Sequence, residues 1–220
     1  MAPPQPVSVD LVVTEQIDAA AAERFLALQP RTVALAGGST PRSLYERLAS
    51  CAFPWSDTHI FFGDERCVPP DHPDSNFRMA NETLLSNVPA TVHRMRGESC
   101  DAAGYEEELR CVFDSMPPAF DLVLLGLGED GHTASLFPGD PTLEETERWV
   151  VRVERPDHAR LTLTLPVLSA ANVALFLVSG AAKREPLQRL LHGGDIPAAR
   201  VRAKQVVIIA DEAAAQGARP

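Results

Sequence analysis

The sequence predicts a Rossmann-like α/β fold, with a mostly parallel sheet covered by helices on both faces, in a single domain over residues 1–220. Strand-like runs alternate with helix-like segments along the chain, which is typical of βαβ units. Some of the strand-like runs, such as Leu122–Leu125 and Val173–Val178, are apolar throughout, as expected for strands buried on both faces. A chain of 220 residues is long enough for one domain with a sizeable core.

The elements follow from local composition. Residues 1–6 are rich in proline, with no positive start and no apolar segment, so we expect a disordered lead-in rather than a secretion signal. Apolar and β-branched runs predict strands at Val7–Val13, Thr32–Ala36, His59–Phe62, Leu122–Leu125, Val150–Val153, Leu161–Leu165, Val173–Val178 and Val206–Ile209. Alanine-rich or helically spaced apolar residues predict helices at Asp18–Leu28, around Leu44 and Leu48, at Asn76–Leu85, at Ala102–Phe113 and around Leu187–Leu191.

The charge balance limits the partners. Twenty basic and 30 acidic residues give a net charge of −10, which disfavours nucleic acid and anionic lipid as the main partner. No apolar run approaches the roughly 18 residues of a membrane span. We therefore expect a cytoplasmic protein with a small-molecule substrate, and an anionic substrate would require a locally basic pocket.

The cysteines show no ligand or redox motif. Cys51, Cys67, Cys100 and Cys111 include no pair separated by two residues. A chain of this size without a secretion signal is more typical of a reducing compartment, so the expectation is four free thiols.

The loops that follow the strands are the places to search for a site, because ligands of parallel sheets bind beyond the carboxyl ends of the strands. In the first loop, Gly37 and Gly38 let the backbone approach a ligand. Ser39 or Thr40 is expected to cap the next helix, where free amides and hydroxyls would form a phosphate cradle. The alternative is a simple strand–turn–helix connection with a good cap.

Charged residues follow two other strands. Asp64, Glu65 and Arg66 come directly after a predicted strand and form either part of a site or a solvated turn. Lys183 and Arg184 lie near the start of a predicted helix, where cations oppose the helix dipole. A bound anion would remove that conflict, and extension of both side chains into water is the alternative.

The glycine-rich loop after Leu122–Leu125 carries the most specific pattern. Its glycines Gly126, Gly128 and Gly131 have the spacing of a dinucleotide-binding loop, but two acidic residues would face the pyrophosphate and a proline–glycine pair soon ends any helix. A loop that directs Asp130 and His132 at a ligand fits better, since histidine beside a carboxylate is a common general base. A surface histidine is the alternative.

Taken together, these segments resemble the 6-phosphogluconolactonase family, within the larger sugar-phosphate isomerase/lactonase group. The matching segments are Ala36–Pro41, Phe62–Arg66, Asp74–Asn76, Gly126–Pro138 and Leu161–Lys183. The resemblance implies a Rossmann-like sheet that binds no dinucleotide, and no metal or organic cofactor. The implied reaction is hydrolysis of 6-phosphoglucono-δ-lactone to 6-phosphogluconate in the oxidative pentose phosphate pathway.

The resemblance also implies roles for individual residues. His132 would be the general base or acid, Asp130 its orienting partner, and Arg66 would face the lactone or the phosphate. The implied substrate- and phosphate-binding residues are Gly37, Gly38, Ser39, Thr40, Asp64, Arg160 and Lys183. Asp64 is expected to hold Arg66 or to contact sugar hydroxyls, and the relative importance of Asp64, Glu65 and Asp130 stays open. His72 and His158 are expected at the surface.

Two other functions are compatible with parts of the pattern. The related glucosamine-6-phosphate deaminases follow their glycine-rich loop with Asn-Glu-Pro, whereas Leu136 and Phe137 precede Pro138 here. Those enzymes also generally place an aromatic residue where this chain has Arg66. A non-catalytic sugar-phosphate binding protein would not need His132 and Asp130. A monomer or weak homo-oligomer is expected.

Overall fold

Two sheets organise the chain, which a computed structural model describes over residues 8–218; the expected lead-in lies outside these residues. The strands are β1 (Ser8–Val13), β2 (Thr32–Leu35), β3 (His59–Phe62), β4 (Asp64–Arg66), β5 (Thr91–Val92), β6 (Leu122–Gly126), β7 (Val150–Val153), β8 (Arg160–Leu163), β9 (Val173–Val178) and β10 (Gln205–Ala210). Seven of them form one sheet in the order β1-β10-β9-β6-β2-β3-β5. All pairings in this sheet are parallel, as predicted.

The helices are α1 (Ile17–Leu28), α2 (Ser39–Leu48), α3 (Asn76–Thr83), α4 (Ala102–Val112), α5 (Leu165–Ala170), α6 (Arg184–Leu191) and α7 (Glu212–Ala215). All six residues of β9 are buried. Because consecutive strand residues point to opposite faces, both faces of the sheet are covered at this strand. Within residues 8–218 no helix combines the length and apolarity needed to cross a bilayer.

The strand order explains why four distant loops can form one site. Strands β9, β6, β2 and β3 are consecutive neighbours in the sheet. Since parallel strands end at the same edge, the loops that follow them lie side by side. These are the loops that the sequence predicts to carry ligand-binding residues.

A second, three-stranded antiparallel sheet was not predicted. Strand β8 pairs with both β4 and β7. The apolar runs at Val150–Val153 and Leu161–Leu165 were expected to join the parallel sheet, and that expectation is wrong. The second run also ends early, because Pro166 lies in the first turn of α5, where a missing backbone N–H is tolerated.

The expectation of four free thiols is also wrong. Cys67 and Cys100 form a disulfide with their Cα atoms 5.1 Å apart, whereas Cys51 and Cys111 are free. The two bonded cysteines are 33 positions apart in sequence, and only the fold brings them together. Spacing motifs therefore give no sign of this pair.

Candidate active site

A cleft of about 300 Å³ opens at the carboxyl edge of the parallel sheet. Residues from six separate segments of the chain line it. The polar and glycine residues among them are Gly37, Gly38, Ser39, Thr40, Gly63, Asp64, Arg66, Asn76, Gly126, Gly128, His132, Arg160, Ser179 and Lys183. Every predicted site residue is in this set except Asp130, which reaches the cleft through His132.

The first wall of the cleft is the start of α2. Gly38 is the N-cap with φ of +103°, a conformation open to glycine, and no side chain caps the helix. Ser39 and Thr40 were expected to supply the cap, but they lie inside the first turn. The first-turn N–H groups therefore lack a side-chain acceptor, which makes this helix end a suitable place for an anion.

Tyr45 fixes the strand that leads into this helix. Its buried hydroxyl accepts a hydrogen bond from the Ala36 N–H at 2.9 Å and donates one to the Ala36 carbonyl at 2.8 Å. Burial raises the pKa of this phenol, so it stays protonated and can serve both roles. The backbone that enters the helix is thus held from within the core.

His132 and Asp130 form the polar pair of the glycine-rich loop. Asp130 Oδ1 lies 2.6 Å from His132 Nδ1 and also accepts the His132 backbone N–H at 3.0 Å. Burial raises the pKa of Asp130, but these two hydrogen bonds outweigh it and hold the pKa below its usual value. An ionised carboxylate only accepts hydrogen bonds, so in the neutral imidazole of His132 the proton lies on Nδ1 and Nε2 has a free lone pair.

The glycines of this loop make room for the pair. A Cβ at Gly128 would overlap the His132 ring and lie 2.7 Å from Asp130 Oδ1. The loop is closed by the Gly128 N–H, which donates to the His132 carbonyl at 2.8 Å. Among the described residues no α-helix begins between this loop and β7, only a 3-10 turn at Pro141–Glu144, whereas a dinucleotide-binding glycine loop opens a helix.

Two arginines stand opposite each other on the antiparallel sheet. Arg66 of β4 and Arg160 of β8 are register partners, and like charges at such positions repel. Arg66 Nη1 donates to the Asp74 carbonyl at 2.7 Å and to Asn76 Oδ1 at 3.0 Å. The Nε atoms of both arginines are buried without a hydrogen-bond partner among the described residues. Arg160 Nη2 donates to Asp157 Oδ2 at 2.7 Å, which offsets part of its charge, and an anion in the cleft would relieve the remaining repulsion.

Asp64 does not hold Arg66, contrary to one of the two roles expected for it. Its Oδ2 accepts from the Ser135 hydroxyl at 2.6 Å, and its Oδ1 accepts from Asn76 Nδ2 at 3.2 Å. Asn76 is thus the link, because its other amide atom accepts from Arg66. Gly37 leaves the space for this amide, since a Cβ there would overlap the Asn76 side chain.

Glu65 supports the site from the interior. It is 1% exposed, and its carboxylate accepts from the backbone N–H groups of Arg66, Asn76 and Phe77 and from the Ser75 hydroxyl. Two of those amides belong to the first turn of α3, where a carboxylate is stabilised by the helix dipole. Burial nevertheless raises the pKa of Glu65 above its usual value. Of the three acids left unranked from sequence, only Asp130 contacts the histidine.

Lys183 occupies the opposite wall. It is the N-cap of α6 and forms no ion pair with any residue in the 8–218 range. The loop before it is held by Asp211, which accepts from the Ser179 hydroxyl at 2.6 Å and from the Gly180 N–H at 2.8 Å. A fixed loop with an unpaired cation beside a helix N-terminus is suited to an anionic ligand.

Comparison with known proteins identifies the family of this chain. A family model described as glucosamine-6-phosphate isomerases/6-phosphogluconolactonase matches residues 7–209. The chain belongs to this family. The match extends beyond both ends of the region, residues 31–191, on which the sequence resemblance was based.

Three relatives illustrate the similarity. A 6-phosphogluconolactonase of Synechocystis sp. is 46% identical over 185 residues, which is 80% of this chain and 75% of the relative. A 6-phosphogluconolactonase of Nostoc sp. is 42% identical over 195 residues, 83% of this chain and 78% of the relative. The crystal structure of a 6-phosphogluconolactonase from Thermotoga maritima superposes with a TM-score of 0.83 at 32% identity, covering 93% of this chain and 99% of that one.

Sequence reasoning missed Asn76 as a site residue of this family member. Its neighbour Ser75 caps α3 by accepting from the Arg78 N–H at 3.1 Å. The adjacent position, Asn76, joins Arg66 to Asp64 instead. The sequence indicated this position only indirectly, because Asp74–Asn76 is one of the segments that match the family.

Proposed function

We propose that this protein hydrolyses 6-phosphoglucono-δ-lactone to 6-phosphogluconate, with His132 as the acid–base group and a phosphate anchor formed by the neighbouring loops. The observation that carries the proposal is the His132–Asp130 pair at 2.6 Å in a cleft that also contains Arg66, Arg160 and Lys183. Family membership and relatives named 6-phosphogluconolactonase support the same reaction.

Phosphate binding is assigned to the two helix starts. Ser39 and Thr40 contribute hydroxyls beside the uncapped first turn of α2, and Lys183 contributes a positive charge. These loops follow β2 and β9, which flank β6 on either side in the sheet. A dianion between them is thus held next to the loop that carries His132.

The proton transfers then follow from the tautomer of His132. Nε2 accepts a proton from a water molecule whose oxygen attacks the lactone carbonyl carbon. The resulting imidazolium is stabilised by Asp130 and returns the proton to the ring oxygen as the carbon–oxygen bond breaks. The carboxylic acid product is ionised at neutral pH, so each turnover releases one proton to the solution.

The developing negative charge on the carbonyl oxygen requires a positive partner. Arg66 and Arg160 supply it from the β4–β8 side, or else they hold the phosphate from that side. Kinetics distinguish the two roles. An arginine that stabilises only the transition state lowers kcat on removal, whereas one that binds phosphate uniformly raises KM.

A glucosamine-6-phosphate deaminase activity is disfavoured by the residues after the glycine-rich loop. Leu136 is fully buried and Phe137 is 6% exposed, so these positions offer no carboxylate for ring opening. Phe137 instead packs against His132, with ring centroids 4.6 Å apart. Retention of the His132–Asp130 pair also disfavours a binding protein without catalysis.

The direct test offers both substrates to one preparation. Acid release from fresh 6-phosphoglucono-δ-lactone is followed by pH-stat after subtraction of spontaneous hydrolysis, and ammonia release is followed from glucosamine 6-phosphate. We expect acid release well above background and no ammonia. Ammonia release without acceleration of lactone hydrolysis would assign the other activity.

A cytoplasmic site of action stays our proposal; because a phosphate dianion does not cross a lipid bilayer unaided, the protein acts in the compartment where its substrate is made. For the oligomeric state, a monomer or a weak homo-oligomer stays the prediction.

A further inference from the structure

A second cluster of polar side chains lies outside the cleft lining. His72 and Asp74 belong to the loop between β4 and α3, and His158 belongs to the loop between β7 and β8. One potential ligand atom from each residue lies within 4.8 Å of the other two. The three side chains are partly exposed, so an ion could reach them from solvent.

We propose that His72, Asp74 and His158 form a binding site for a single divalent transition-metal ion of the Zn²⁺ class. Two imidazoles and one carboxylate are the ligand set that such ions accept, with water completing the coordination. Hard cations such as Mg²⁺ and Ca²⁺ prefer oxygen ligands and would not select two histidines.

The distances are close to those of a tetrahedral site. Asp74 Oδ2 lies 3.1 Å from His158 Nε2 and 3.8 Å from His72 Nδ1. Ligand atoms around Zn²⁺ with bonds of about 2.0–2.1 Å are separated by about 3.3 Å. The two histidine atoms, at most 4.8 Å apart, would need to approach by no more than about 1.5 Å. Both are on loops, where side-chain rotation can supply this movement.

An ion would replace hydrogen bonds that the two histidines now form. The Asp74 backbone N–H donates to His72 Nδ1 at 3.2 Å, so this nitrogen is unprotonated, and its lone pair would bind the ion in place of that hydrogen bond. His158 Nε2 donates to Asp74 Oδ2 at 3.1 Å. A neutral imidazole can shift that proton to Nδ1 without a change of charge, and Nε2 then becomes a ligand.

Among the described residues, these two histidines are the only ones within salt-bridge distance of the Asp74 carboxylate. No arginine or lysine side chain from residues 8–218 neutralises it, although Arg66 contacts the carbonyl of the same residue. A cation between the two loops would provide the missing positive charge. It would also join the segments that carry Arg66 and Arg160.

The test is a calorimetric titration of the purified, metal-free protein with Zn²⁺ in a buffer that does not bind the metal. We expect one ion per chain. His158→Asn and His72→Asn are each expected to weaken binding by at least roughly tenfold, since even loss of an outer-shell partner has effects of 10–100-fold. Equal melting temperatures without metal show that the variants are folded.

Two control variants separate this site from others. His192 is exposed and belongs to no such cluster among the described residues, so His192→Asn is expected to bind Zn²⁺ as the wild type does. His132→Asn is expected to do the same. Loss of binding in His132→Asn would place the ion in the cleft and overturn the proposal, as would unchanged affinity in both His158→Asn and His72→Asn.

Discussion

The hydrogen bond between His132 and Asp130 should control turnover, and Asp130→Asn tests it. The bond is 2.6 Å long and joins an imidazole to an ionised carboxylate. Hydrogen bonds to charged groups contribute about 1.5–3 kcal/mol, which corresponds to roughly 10–10²-fold in rate. Because the Asp130 side chain is 50% exposed, solvent screening places the expected loss of kcat at the lower end of this range.

A double-variant cycle makes the test specific. His132→Asn alone should lower kcat by roughly 10²–10⁴-fold, the scale of a positioned acid–base group. If Asp130 acts only through His132, the double variant loses no more than His132→Asn does. Background-corrected kcat and melting temperature are measured on the same preparations. Asp130→Asn turnover within threefold of wild type, or a double variant that loses the product of both factors, would refute the reasoning.

Three further changes probe the surrounding structure. Lys183→Ala should weaken 6-phosphogluconate binding by about 1.5–3 kcal/mol in calorimetry, and equal losses with unphosphorylated gluconate would place Lys183 outside the phosphate site. Gly128→Ala should displace the His132 ring and lower kcat by roughly 10²-fold, and unchanged kcat would contradict the packing described. Asp211→Ala removes the α7 cap and should destabilise the protein by about 0.5–2 kcal/mol at pH 7 in denaturant unfolding. Burial raises the pKa of Asp211, but hydrogen bonds from Ser179 and backbone amides outweigh it and lower the pKa below 3.8. The stability difference between wild type and Asp211→Ala should therefore persist above pH 3.8 and shrink as the pH falls below 3.8. A stability difference independent of pH would contradict the assignment.

The parts of the fold that could be predicted are those with a dense local signal. The bounds of β3, β7 and β9 agree with the sequence prediction to the residue, because β9 is a continuous apolar run and β3 and β7 each contain only one polar residue. The glycine-rich loops were placed correctly because each of them directly follows such a strand. A strand that ends in glycine before a helix, or before a polar loop, marks the carboxyl edge of a parallel sheet.

The parts that could not be predicted depend on contacts between distant residues. Strand β4 consists of three charged residues with no strand signal, and it forms only because β8, about a hundred positions later, pairs with it. The Cys67–Cys100 disulfide has the same origin. Asn76 was missed as a site residue because its bonds to Arg66 and Asp64 follow from a loop conformation that composition does not encode.

The central claim is that the cleft binds a phosphorylated lactone and hydrolyses it. The most direct measurement is kcat/KM of the wild-type protein for 6-phosphoglucono-δ-lactone and for unphosphorylated glucono-δ-lactone, each corrected for spontaneous hydrolysis. At least two charge-assisted contacts to the phosphate, each of about 1.5 kcal/mol or more, predict a preference of roughly 10²-fold or greater for the phosphorylated substrate. Hydrolysis of the phosphorylated lactone at the spontaneous rate, or equal kcat/KM for the two lactones, would contradict the account.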